Sequence, residues 1–221
     1  MKKLILFIGG AVLLLTGCSA PVEEPTSDNL VPGVFINEVP KGDFENLKLE
    51  DFPSNDAGRA HGVAVADDAI YVMADPYLLK YSLEGEMIAY ADPKILPCGV
   101  DVAKIGEKLF VACREEGIYE IDLVKNEIAY NYTKADGLEE YQNPEFAVQD
   151  KTLWVGTFDG IAKIDTDTRK VTFYNDELGF EGTHLSSGVY SRGNNVWAIV
   201  SANAYNGGGA GYYNEEGTWT F

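Results

Sequence analysis

Apolar and polar residues alternate in short runs along most of the chain, and the runs come in sets. Each set holds a short apolar strand, a tight polar turn and a strand with an aromatic near its start. A loop, a strand bearing Tyr or Ile, a second turn and a last strand follow. Four segments share this order: HGVAVADDAIYVMADPYLLKYSLEGEMIAYA, CGVDVAKIGEKLFVACREEGIYEIDLVKNEIAYNY, EFAVQDKTLWVGTFDGIAKIDTDTRKVTFYN and HLSSGVYSRGNNVWAIVSANAYNGGGAGYYNEEGTWTF. Their anchor aromatics, Tyr71, Phe110, Trp154 and Trp197, recur about every forty residues. The third-strand positions are Tyr81, Ile121, Ile164 and Tyr213, the last delayed by a Gly-rich insert over residues 201–209. Turn chemistry falls between strands one and two at Asp67-Asp68, Ile105-Gly106, Asp150-Lys151 and Gly193-Asn194. Between strands three and four it falls at Glu84-Gly85, Lys125-Asn126, Asp167-Thr168 and Glu216-Gly217. No segment carries a sustained helical period. The pattern predicts an all-β chain of four-stranded antiparallel units.

Four strands in tandem at this period are the mark of β-propeller blades, which bury their apolar faces by stacking on one another. The blades are expected near residues 60–92, 97–133, 145–175 and 183–221, within a propeller domain over residues 31–221. A β-sandwich or flat barrel requires no equal internal repeat and ranks behind. Propellers carry four to eight blades, and four are visible. The segment NLKLEDF (residues 46–52) can serve as the outer strand of a closing blade, whose other strands are then missing. The expectation is therefore the N-terminal part of a longer protein with six or seven blades; the competing arrangement is a four- or five-blade propeller with residues 30–52 supplying extra strands.

The residues also resemble known repeats. Trp154-Val155-Gly156-Thr157 with Gly160-Ile161 and Asp165 is similar to the two-component-regulator type of propeller repeat. Asp136-Gly137-Leu138 and the YNDELGF of residues 174–180 fit the same family. His61-Gly62-Val63-Ala64-Val65 with Ile70-Tyr71-Val72 is closer to the NHL and YVTN style. These likenesses imply the propeller fold and recognition outside the cell, and they name no ligand.

The N-terminus reads as an address. Met1-Lys2-Lys3 is positive, and residues 4–15 are apolar but too short for a bilayer-spanning helix, which needs ~20 residues. The run ends in Leu15-Thr16-Gly17-Cys18, which looks like a bacterial lipoprotein lipobox. That likeness implies a signal peptide and lipobox over residues 1–18 with cleavage before Cys18, acylation of Cys18, and lipid anchorage at a bacterial cell membrane or outer membrane, facing outside the cytoplasm. Residues 19–30 are polar, acidic and Pro-containing and read as a flexible tether. Seventeen Lys and Arg stand against 35 Asp and Glu, a net charge of −18. That balance argues against a nucleic-acid partner, whose phosphates are met by clustered Lys and Arg. Membrane contact is therefore expected through lipid on Cys18.

Candidate chemistry is sparse. The residues expected to open the inner strands are His61, Cys98, Glu145 and His184, all metal-ligand types, and on one reading they converge on the central channel. On the other they are ordinary polar residues lining a wet channel, and no cofactor is needed. With the turn at Ile105-Gly106, Cys98 falls directly opposite Cys113, so a disulfide and two buried free thiols are both open. Asp165-Thr166-Asp167-Thr168 begins like a calcium loop but lacks its later ligands and Gly, and reads as a turn. Loops at the ligand face are expected to present Tyr77, Arg114, Tyr141, Phe158, Asp159 and Tyr205. The sequence thus favours an anchored extracytoplasmic propeller that binds a protein or a small-molecule ligand. The alternative is a metal-assisted propeller hydrolase or lyase with its divalent ion on the axis.

Overall fold

The computed structural model describes residues 33–36, 60–74, 77–96, 98–114, 116–138, 144–157, 160–174, 186–201, 208–214 and 216–220, all within the unit Gly33–Phe221. Strand β1 is Phe35–Ile36, and four meanders follow. The first comprises β2 (Ala60–Val65), β3 (Ile70–Ala74), β4 (Tyr77–Tyr81) and β5 (Met87–Ala91). Second come β6 (Asp101–Ile105), β7 (Lys108–Cys113), β8 (Gly117–Asp122) and β9 (Glu127–Tyr132). The third is β10 (Glu145–Gln149), β11 (Thr152–Gly156), β12 (Ile161–Asp165) and β13 (Val171–Tyr174). The fourth is β14 (Ser186–Arg192), β15 (Asn195–Ser201), β16 (Gly208–Tyr213) and β17 (Trp219–Thr220). Each meander is one antiparallel sheet in chain order, and β1 adds to the outer edge of the first beside β5. The inner strands neighbour one another in sequence: β2 beside β6, β6 beside β10, β10 beside β14. The helical content of the described residues is one 3₁₀ turn, Lys134–Asp136, capped by Thr133.

The repeat seen in the sequence is a repeat of faces. Alternation along each strand sends one set of side chains toward the following sheet and the other toward the preceding one. The anchor face of the first sheet, with Tyr71, Met73 and Leu78, packs on Val102, Leu109, Val111 and Ile121 of the second. Phe110, Ile118 and Tyr132 of the second pack on Leu153, Val155, Ala162 and Ile164 of the third. Trp154 and Ile161 of the third pack on Val189, Val196 and Ala198 of the fourth. Small residues stand opposite the first three anchors (Ala64, Ala103 and Ala147), which lets the inner strands approach closely. Each third-strand position named above pairs with the residue preceding its anchor: Ile70 with Tyr81, Leu109 with Ile121, Leu153 with Ile164, and Val196 with Tyr213.

Two polar devices tie the sheets together. Glu120 is 1% exposed, yet it accepts from Tyr132 Oη at 2.7 Å and Arg169 at 2.9 Å, with Lys108 Nζ at 3.3 Å. Arg169 reaches it from the third sheet out of a left-handed turn, φ 60°. Asn126, also left-handed at φ 56°, clasps β1: its side chain accepts from Phe35 N and donates to Phe35 O. The strand found ahead of the first inner strand is thus a fifth strand on the first sheet, within the residues 30–52 that the competing four- or five-blade arrangement has supplying extra strands. The segment NLKLEDF lies outside the described residues.

One hairpin departs from the expected register. The β6–β7 turn falls at Gly106-Glu107, with Ile105 opposite Lys108 and Asp101 opposite Ala112. Gly106 takes φ 58°, so the turn centres one residue later than Ile105-Gly106 predicted, and the ladder shifts by two. Cys98 therefore lies beyond the start of β6, with no place directly opposite Cys113 in the ladder. The segment leading into β6 still brings the two together: they are bonded, with Cα atoms 5.4 Å apart.

Candidate site at the upper ends of the inner strands

The inner strands begin at one end of the sheets, called here the upper end. The turns joining second to third strands lie at the same end. In the register that pairs each anchor with its inner-strand partner, the equivalent positions at this end are Gly62, Asp101, Glu145 and Gly188. Of the expected set of His61, Cys98, Glu145 and His184, the three described members do not gather into one metal-binding group. Cys98 is consumed by its bond to Cys113. His61 is exposed at the start of β2, one residue off the shared layer. His184 lies outside the described residues. Of the described members only Glu145 stands in the layer, and its companion is Asp101. The two-residue shift in the second hairpin is what brings Asp101 into the layer.

Asp101 is built into the boundary between the second and third sheets. Its Oδ2 accepts from Phe146 N at 2.7 Å and its Oδ1 from Val102 N at 2.8 Å. Gly62 is required beside it, since a Cβ there would come within 2.1 Å of Asp101 Oδ1. Burial pushes the Asp101 carboxyl up to about 6, opposed by the two backbone donors and aided by the charge of Glu145. Glu145 is exposed and turns toward the fourth sheet, where a Cβ on Gly188 would lie 3.1 Å from its Oε2. A concavity of about 450 Å³ opens there, lined by Glu145, Gly188, Tyr190, Trp197, Ile199 and Ala210.

The disulfide braces the upper end of the second sheet. Beyond it Arg114 and Glu116 are exposed, and Glu116 accepts from Tyr119 Oη at 2.6 Å. Tyr77 opens β4 opposite Ala74. Tyr141, Phe158, Asp159 and Tyr205 lie outside the described residues. Asp165 is a turn residue, accepting from Asp167 N and Thr168 N. Among the described residues no three of His, Cys, Asp and Glu gather into a metal-binding group. No helix among them is long and apolar enough to cross a membrane. Asp101 was legible in one way: it precedes Phe110 by the same distance as Glu145 precedes Trp154, so counting back from the anchors finds both.

Four antiparallel four-stranded sheets, packed anchor face to receiving face, define a protein of the β-propeller class. Solved structures agree. BamB from Moraxella catarrhalis is 14% identical over 73% of this chain and 49% of its own, with a TM-score of 0.53. The extracellular domain of the putative one component system BT4673 from B. thetaiotaomicron is 18% identical over 73% of this chain and 22% of its own, TM-score 0.57. The RRP9 WD40 repeats are 12% identical over 75% of this chain and 51% of theirs, TM-score 0.54. The chain thus spans about half of BamB and of RRP9, and about a fifth of the BT4673 domain. At such identities the likeness is one of fold. No family model matches the chain, and no curated protein matches it in sequence.

Proposed function

We propose that this chain is a lipid-anchored, extracytoplasmic propeller of the bacterial cell envelope that binds a protein or small-molecule ligand at the upper end of its sheets. The disulfide carries the reading. A bond between Cys98 and Cys113 belongs to an oxidising compartment. It also stiffens the segment that displays Arg114 and Glu116 beside the layer of Asp101 and Glu145. Rigid support under exposed polar and aromatic groups suits a binding surface. The leader ending at Cys18 supports export and anchorage by acyl chains, which add ~0.8 kcal/mol of membrane affinity per buried CH₂. The alternative of a metal on the axis loses Cys98 as a ligand, since that residue is bonded to Cys113.

Cell fractionation with photo-cross-linking tests both halves. The parent should partition with membranes, and Cys18→Ala should release it without losing the Cys98–Cys113 bond. A photo-reactive residue at Tyr77 or Arg114 should capture a discrete partner. One at Leu83, exposed at the opposite end of the first sheet, should not. Equal capture at both ends, or a Cys18→Ala protein that stays on membranes, refutes the proposal.

A further inference from the structure

The stacking leaves two faces uncovered, and they are of opposite kinds. At every internal boundary an anchor face meets a receiving face. The receiving face of the first sheet carries Val63 and Val65, which are 56% and 73% exposed. The anchor face of the fourth carries Tyr190, Trp197 and Ile199, which are 65%, 43% and 64% exposed. Tyr71, Phe110 and Trp154, at the place in their own sheets that Trp197 holds in the fourth, are each 0% exposed. Contiguous apolar surface of this sort marks an interface.

We propose that the two faces close on each other between two copies of this chain, the anchor face of each copy packing on the receiving face of the other. The repeat itself specifies the fit. Val63 pairs with Val72 in the first sheet as Val102 pairs with Val111 in the second and Val189 with Ala198 in the fourth. Those second- and fourth-sheet pairs receive Tyr71 and Trp154 of the sheet before. The first sheet thus offers Trp197 the same kind of surface that the second offers Tyr71. A two-fold pair satisfies both faces of both copies at once, and the assembly closes.

Sedimentation equilibrium of the chain carrying Cys18→Ala, which removes the lipid, tests this. A species of twice the chain mass is expected. Trp197→Glu and Val65→Glu should each weaken association at least tenfold with the far-UV circular dichroism unchanged, and Trp197→Phe should retain it. Mixing the two Glu variants should restore pairing, because one anchor face and one receiving face in the mixed pair remain intact. A monomeric parent overturns the proposal and leaves the faces to further blades on a longer chain. So does a pair that survives both substitutions, a mixture that stays monomeric, or a ladder of open-ended oligomers.

Discussion

Asp101 shows how one carboxylate can work against the fold that holds it. Its pKa rises from 3.8 to about 6 because burial penalises the charge more than Phe146 N and Val102 N reward it. The folded state therefore binds the proton more tightly than the unfolded chain. Its contribution to stability is fully present below pH ~4 and is lost as pH rises through about 6. Glu120 has the opposite sign: burial raises its pKa, but Arg169, Tyr132 and Lys108 together hold it below the ordinary carboxylate range. It stabilises the folded state at neutral pH and ceases to do so in acid. Asp101→Asn should remove the first dependence. Urea titrations at pH 4, 5 and 7 should show the difference between variant and parent changing by about 2 kcal/mol across that window. Parallel profiles would show that the carboxylate stays solvated. The sequence displayed Asp101 inside CGVDV, but its burial depends on Gly62 and Phe146, which belong to two other sheets.

At the scale of elements, glycine marks where third strands must pass fourth strands. Gly117 takes φ 106°, and a Cβ there would sit 2.0 Å from Tyr132 O. Gly160 takes φ 158° at the corresponding place in the third sheet, 2.3 Å from Tyr174 O. Gly117→Ala should cost about 2–3 kcal/mol through strain and collision. Gly106→Ala, at φ 58° with open space around it, should cost about 1 kcal/mol. Chemical denaturation of both variants checks the order, and equal losses would contradict the collision. Most turns were legible because turn residues act locally: the pairs at Asp67-Asp68, Asp150-Lys151 and Gly193-Asn194 stand where the ladders place them. The β6–β7 turn was displaced because Ile105-Gly106 and Gly106-Glu107 both offer a glycine, and only the ladder chooses between them.

Across the whole molecule, identical positions differ by what covers them. Trp154 contacts the rings of Tyr213 and Trp219, with centroids 4.8 and 5.9 Å away, and Lys163 Nζ lies 5.2 Å from its ring. Trp154→Ala should lower stability by about 3–5 kcal/mol, the range for emptying a buried aromatic site. Trp197→Ala, measured dilute enough to keep copies apart, should cost less than about 1 kcal/mol. Thermal or urea unfolding of the pair decides, and a large loss at Trp197 would mean its face is covered within one chain.

By itself the sequence determined the all-β class, the four-fold repeat, the anchor aromatics and most turns. These rest on alternation and turn chemistry, which act over a few neighbouring residues. The tertiary structure alone decided the register of the second hairpin. With it came Asp101 as the companion of Glu145 in one layer, and the bond between Cys98 and Cys113. It also decided that Trp154 is buried while Trp197 is not. Register and coverage are set by contacts between sheets far apart in the chain, and a slip of one or two residues leaves no local trace while changing which side chains meet.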